Sequence, residues 1–221
     1  TPIHLASCSE HMDVVRLLAE HKKSLELQGD NPYASIHLAS QSGHADVVRL
    51  LVEGKASLNV RGEQGVVPIH LASGNGHVKV VRLLAERKAS LDVQTEQGFS
   101  PVFLASQCGH VDVVRLLAKH KADLHTRSLD RRSPACIAAW KGHMDVLREL
   151  ASLGVDLNLA VLRRGYTVSP LLMAVRGGHP HVVCMLAERG VDMNNGRPLH
   201  AVYRMTTNSV VAALLRHGAS P

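Results

Sequence analysis

Fifteen histidines in 221 residues are the first side chains in this sequence that could do chemistry. An imidazole can ligate zinc or act as a general base, but a metal site needs several ligands converging on one point. Ten of the histidines instead fall into two recurring phrases: His4, His37, His70 and His200 in one, and His11, His44, His77, His110, His143 and His179 in the other. Residues strung along a chain at fixed steps do not converge, so no metal site is expected. Cys8, Cys108, Cys136 and Cys184 lie far apart with no CxxC pair, which suits a reducing compartment better than a disulfide framework. Cys8 and Cys108 are placed at the exposed ends of short helices, but accessibility alone does not make a thiol reactive. No Ser or Cys has a His and an acid in a recognisable nucleophile arrangement, and no Gly-rich loop follows a strand. Catalytic residues, cofactors and metals are therefore all expected to be none.

The elements that carry these residues repeat. "VVRLLAE" begins at Val14 and Val80, "VVRLLVE" at Val47 and "VVRLLAK" at Val113, always 33 residues apart or a multiple of it. "TPIHLAS" at Thr1, "ASIHLAS" at Ala34, "VPIHLAS" at Val67, "SPVFLAS" at Ser100 and "SPACIAA" at Ser133 keep the same step. Looser copies start at Ser169 and Arg197, giving seven units: 1–33, 34–66, 67–99, 100–132, 133–168, 169–196 and 197–221. Ser-Pro, as at Ser100-Pro101 and Ser133-Pro134, reads as an N-cap with proline at the first helical position. The short helix that follows has alanines such as Ala72 and Ala105 for close approach, and a glycine such as Gly109 or Gly142 ends it. A second helix has Asp46, Asp112 or Asp145 in its first turn and an apolar stripe such as Val47, Val48, Leu50 and Leu51. One unit cannot bury that stripe alone; stacked copies bury it for one another. The link from Asn59 to Gly65 reads as an exposed turn.

These phrases, "TPIHLAS" with "DVVRLLAE" in the first unit and "PIHLASGNGHVKVVRLLAE" in the third, resemble the ankyrin repeat family over essentially the whole chain. The resemblance implies an all-α solenoid of stacked helix-turn-helix units, with β-turns or hairpins protruding to one side and a concave face of turn tips and first helices. It also implies that the repeated histidines are hydrogen-bonding parts of each unit, and that the module binds proteins without catalysis. Four positions depart from the family: Lys22, Lys55, Lys88 and Lys121 stand where Gly is preferred after the second helix. A left-handed lysine there costs roughly 1 kcal/mol. The later units keep Gly154, Gly190 and Gly218. Thr1 opens within a unit and Pro221 stops as another turn would begin, which reads as a segment of a longer protein.

Composition fits that picture. Apolar residues make up 45% and aromatics only 3%, with Phe99 and Phe103 the sole phenylalanines, so aliphatic packing must fill the core. No apolar run reaches the length of a membrane span, and no membrane association is expected. The net charge of +6 is one-sided: residues 1–126 carry 13 Lys and Arg against 13 acids, and residues 127–221 carry 12 against 6. Such an excess suggests a located patch.

Trp140, the single tryptophan, aligns with Gly74, Gln107 and Arg176, at the variable polar end of the first helix. Two roles are open to it: an interface contact, or a ring packed over a neighbouring unit or under Arg132. Around it the alignment puts Phe99, Arg131, Arg132, Lys141, Arg163, Arg164, Tyr166 and Arg176, the candidate partner-binding residues. The recurring arginines Arg16, Arg49, Arg82, Arg115 and Arg148 read as a solvated outer helix face. The expected function is a monomeric, non-catalytic protein-interaction module or scaffold in the cytoplasm, with the nucleus also open to it. Its strongest contacts would lie in units five and six, and its target would be an acidic or phosphorylated protein segment. The alternatives are a recruiting arm of a larger enzyme, or nucleic-acid binding through the basic C-terminal half. The balanced first four units give nucleic acid no continuous basic track.

Overall fold

The computed structural model describes residues 34–163, 166–195, 198–201 and 208–220; the first unit, with Lys22, and Arg164 lie outside them. Each unit contributes a pair of short helices. Units two to five supply α1 (Ser35–Ser42) and α2 (Ala45–Glu53), α3 (Pro68–Gly74) and α4 (Val78–Glu86), α5 (Pro101–Cys108) and α6 (Val111–Lys119), and α7 (Pro134–Lys141) and α8 (Met144–Ser152). A hairpin of β1 (Val161–Arg163) and β2 (Tyr166–Val168) follows, then α9 (Pro170–Gly177), α10 (Pro180–Glu188), α11 (Pro198–Ala201) and α12 (Asn208–Arg216).

First helices pack on first helices and second on second, as a stack requires. Ala39, Ala72, Ala105 and Ala138 are fully buried between first helices, where only a methyl group leaves room for neighbouring backbones. The stripes Val47-Val48-Leu51, Val80-Val81-Leu84, Val113-Val114-Leu117 and Val146-Leu147-Leu150 are all fully buried between second helices. Truncating one of these leucines to alanine costs about 2–5 kcal/mol. The all-α solenoid is as expected, and among the described residues the one β element is the antiparallel hairpin pairing Val161 with Val168. It lies in unit five, whose 36 residues exceed the usual 33, and it takes up the extra length outside the helical stack.

The repeated histidines do what the resemblance implies. Nε2 of His77, His110, His143 and His179 lies 2.8–3.0 Å from the carbonyl oxygens of Gln41, Gly74, Gln107 and Trp140, tying each second helix to the preceding unit. At Gly142 the backbone is left-handed (φ 79°) and an added Cβ would stand 2.7 Å from His179 Nδ1, so glycine is required twice over. His37 and His70 serve the first helices: Nδ1 accepts from the N–H of Ala34 and of Val67, both at 3.1 Å. With Nδ1 accepting, the proton sits on Nε2, which donates to Val66 O (3.1 Å) and Val93 O (2.9 Å) in the following turn. Burial holds His37 below the usual histidine range and lowers His70 from 6.5 to about 4.

Lys55, Lys88 and Lys121 are left-handed, with φ of 68°, 63° and 66°. The strain expected from the sequence is therefore present at all three.

Candidate functional site

The turns that precede α5 and α7 are closed by buried hydroxyls. Thr95 Oγ1 accepts from the N–H of Phe99 and Ser128 Oγ from that of Arg132, while the Thr95 and Ser128 amides donate to the carbonyls of Phe99 and Arg132. Successive turn tips are joined by backbone hydrogen bonds, Glu96 N–H to Gln64 O at 2.9 Å and Leu129 N–H to Gln97 O at 3.0 Å. The tips thus form a continuous rail, and residues on it hold fixed positions relative to the helices behind.

Between the rail and the ends of α5 and α7 lies a pocket of ≈ 230 Å³. The Phe99 and Phe103 rings form one wall, stacked parallel with centroids 4.7 Å apart. Trp140 forms another: its half-buried ring packs against the core, and the Arg132 guanidinium stands 4.2 Å from the ring centroid. Such a cation–π contact contributes about 0.5–1 kcal/mol at an exposed site. Ser128, Asp130 and Lys141 line the polar rim. The Cys136 thiol lies in α7 beneath this region, where burial raises its pKa and keeps it protonated.

Of the nine residues expected from the sequence, Phe99, Arg132, Trp140 and Lys141 converge on this pocket. Arg131 does not line it; it is exposed on the tip in a left-handed conformation (φ 58°), at the position where the two preceding turns have Gly65 and Gly98. Arg163 and Tyr166 are cross-strand partners in the hairpin, and Arg176 is exposed near the end of α9. Trp140 takes the packing role, lying under Arg132, and its ring also bounds the cavity.

Sequence reasoning missed Phe103, Gln107, Ile137, Ser128 and Asp130. Phe103 left a signal: it takes the place of His37 and His70 in unit four, four residues from the only other phenylalanine. A ring four positions along, across the start of a helix, is within stacking reach.

The arrangement offers an apolar slot edged by two cations and one carboxylate. No helix among the described residues is long and apolar enough to cross a membrane.

None of the curated proteins compared with the chain is a significant match. Among solved structures, the crystal structure of the human ASB11 ankyrin repeat domain is similar, with a TM-score of 0.76 and 25% identity over 85% of each chain. The family model described as ankyrin repeats (3 copies) matches residues 1–62, 36–128 and 69–161, and the single ankyrin repeat model matches 168–196. The ankyrin repeat models together match the chain from residue 1 to 196 with few gaps, and the chain belongs to the ankyrin repeat family.

Proposed function

We propose that this chain is a non-catalytic interaction module that grips a protein segment on the face made by its turn tips and first helices, with the strongest contacts where units four and five meet. Ankyrin repeats are in general protein–protein interaction modules. The observation that supports this particular face is the pocket itself: a tryptophan, two phenylalanines and an arginine drawn from units three, four and five meet at one opening. Trp and Arg at a preformed cavity are among the residues that most often dominate binding energy. Rigidity supports it further, because the hydrogen-bonded rail holds the walls in place before a partner arrives and little ordering entropy opposes association.

The cations Arg132 and Lys141 at the rim favour a segment that pairs an apolar anchor with a carboxylate or phosphate. A photo-crosslinking residue introduced at Lys141 should capture a partner, and capture should fall about tenfold when Trp140→Ala is added. The same crosslinker at Lys119, exposed on the outer helix α6, should capture nothing specific. Equal capture from both positions would rule this face out.

A further inference from the structure

The second helices carry an arginine at the same place in each unit: Arg49 in α2, Arg82 in α4, Arg115 in α6 and Arg148 in α8. Arg115 is exposed as expected, yet it is also paired. Its Nε and NH2 donate to the two carboxylate oxygens of Glu149 in the next unit, at 2.9 and 2.8 Å, and its NH1 donates to Asp112 at 3.0 Å. The Glu149 side chain is only 16% exposed, so the cleft between α6 and α8 is filled by a carboxylate from the chain itself.

Two units earlier, the equivalent cleft between α2 and α4 lacks that carboxylate. Arg49 matches Arg115 and Asp46 matches Asp112, but Leu83 stands in place of Glu149, and Lys79 replaces the acid found at Asp145. Asp46 reaches Arg49 only at 4.0 Å, against 3.0 Å for its counterpart. What remains is an open cleft of ≈ 480 Å³ to which Arg49, Lys79, Arg82 and Arg87 contribute four cations, with Asp46 and Glu86 the only acids among the described residues that line it. Arginine forks match carboxylates in shape and charge, and Arg115 with Glu149 shows that match in this fold.

We propose that the cleft between α2 and α4 is a second binding site, on the outer helices, for an acidic segment of a partner protein. One carboxylate occupies the Arg49 fork as Glu149 occupies that of Arg115, and a second lies between Lys79 and Arg82. This site shares no residue with the Trp140 pocket and stands or falls independently of it.

The test is titration of the 221-residue chain with a fluorescently labelled hexaglutamate peptide at low ionic strength, where exposed charges are least screened. Leu83→Glu supplies the missing carboxylate from within and should weaken binding about tenfold. Arg82→Gln, an exposed change that leaves the core intact, should weaken it about fivefold. Arg148→Gln removes the same unit of charge outside the cleft and should leave affinity unchanged. If Leu83→Glu does not fold, the contrast between Arg82→Gln and Arg148→Gln decides alone. Equal weakening by those two variants would mean that only bulk charge is sensed, and absence of binding to the unaltered chain would likewise overturn the site.

Discussion

Units two and three close the start of their first helices with a histidine at the third helical position, whereas units four, five and six do so with a serine at the N-cap. In the first pair, His37 and His70 accept the amides of Ala34 and Val67 and donate onward to Val66 and Val93. In the others, Ser100, Ser133 and Ser169 accept the amides of Phe103, Cys136 and Leu172, and the histidine position becomes Phe, Cys or Leu. A similar division appears after the second helices, where Lys55, Lys88 and Lys121 are left-handed but Gly154 and Gly190 take over later. One backbone geometry is thus reached by two local chemistries. Their difference lies in what can undo them: a serine cap is indifferent to pH near neutrality, and a buried neutral histidine is not.

The largest expected effect follows from His70. Its folded value of about 4 lies below the 6.5 of the unfolded chain, so between those limits the unfolded state binds more protons. The contribution is fully present above pH 6.5 and is lost as the pH falls toward 4, by about 3 kcal/mol in all. His37, shifted in the same direction by burial, adds to the loss. Arg61, the nearest cation acting on His70, favours the neutral ring and does not reverse the sign. Because unit stabilities in a solenoid are partly separable, units two and three should melt first at pH 4.5 while units five and six hold. The single tryptophan lies in unit five, so ellipticity should fall at lower temperature than Trp140 fluorescence changes at pH 4.5, and the two should coincide at pH 7.5. Coincident transitions at both values would show that the histidine-built and serine-built units do not differ in this way.

Much of this was legible in the sequence, and the reason is the repeat. A 33-residue step with Pro, Gly and Val-Val-x-Leu-Leu at fixed places specifies helices, their ends and the buried stripe, because each of those residues has one dominant physical use. The left-handed lysines were legible for the same reason, since their place in the unit requires φ above zero. Four of the nine candidate site residues met in the pocket. What stayed hidden were relations between units at positions outside the shared phrases. Glu149 taking the Arg115 fork depends on two side chains 34 residues apart, and neither is informative alone. The same holds for Asn59 and Asn158, which accept the amides of Ser90 and Asp192 in the next unit.

A smaller effect sharpens the comparison at the lysines. Lys88→Gly should stabilise the chain by about 0.5–1 kcal/mol, the relief of a left-handed side chain less the added freedom of the unfolded glycine. Gly154→Lys should cost about as much in the opposite sense. Nothing lies within 4 Å of a Cβ built at Gly154, so that cost is backbone strain without a clash. Urea titrations of the two variants should move the midpoint in opposite directions at constant slope. Shifts of the same sign would mean that backbone handedness at this position does not distinguish the two halves.

The smallest effect concerns the seam between them. Asn59, Asp92, Asn158 and Asn194 each accept, through a side-chain oxygen, a backbone amide of the following unit: Ser90, Asp123, Asp192 and Ser220 at 2.7–2.9 Å. Position 125 in unit four is a histidine, and among the described residues no such bond joins it to Asp156, although its own amide donates to Asp123 Oδ1 just as those of Asn158 and Asn194 donate to Asp156 and Asp192. Among the described residues the inter-unit ladder is therefore interrupted between units four and five, close to where the basic excess begins and where the Trp140 pocket spans the junction. His125→Asn restores the acceptor found at the other four positions and should stabilise the chain by about 0.5 kcal/mol, the lower end for a solvent-exposed hydrogen bond. Its signature is slower amide exchange at Asp156, with the amides of Ser90 and Asp192 unchanged. If Asp156 exchanges as fast in the variant as in the native chain, the interruption has no energetic consequence, and the two halves are joined as firmly as any neighbouring units.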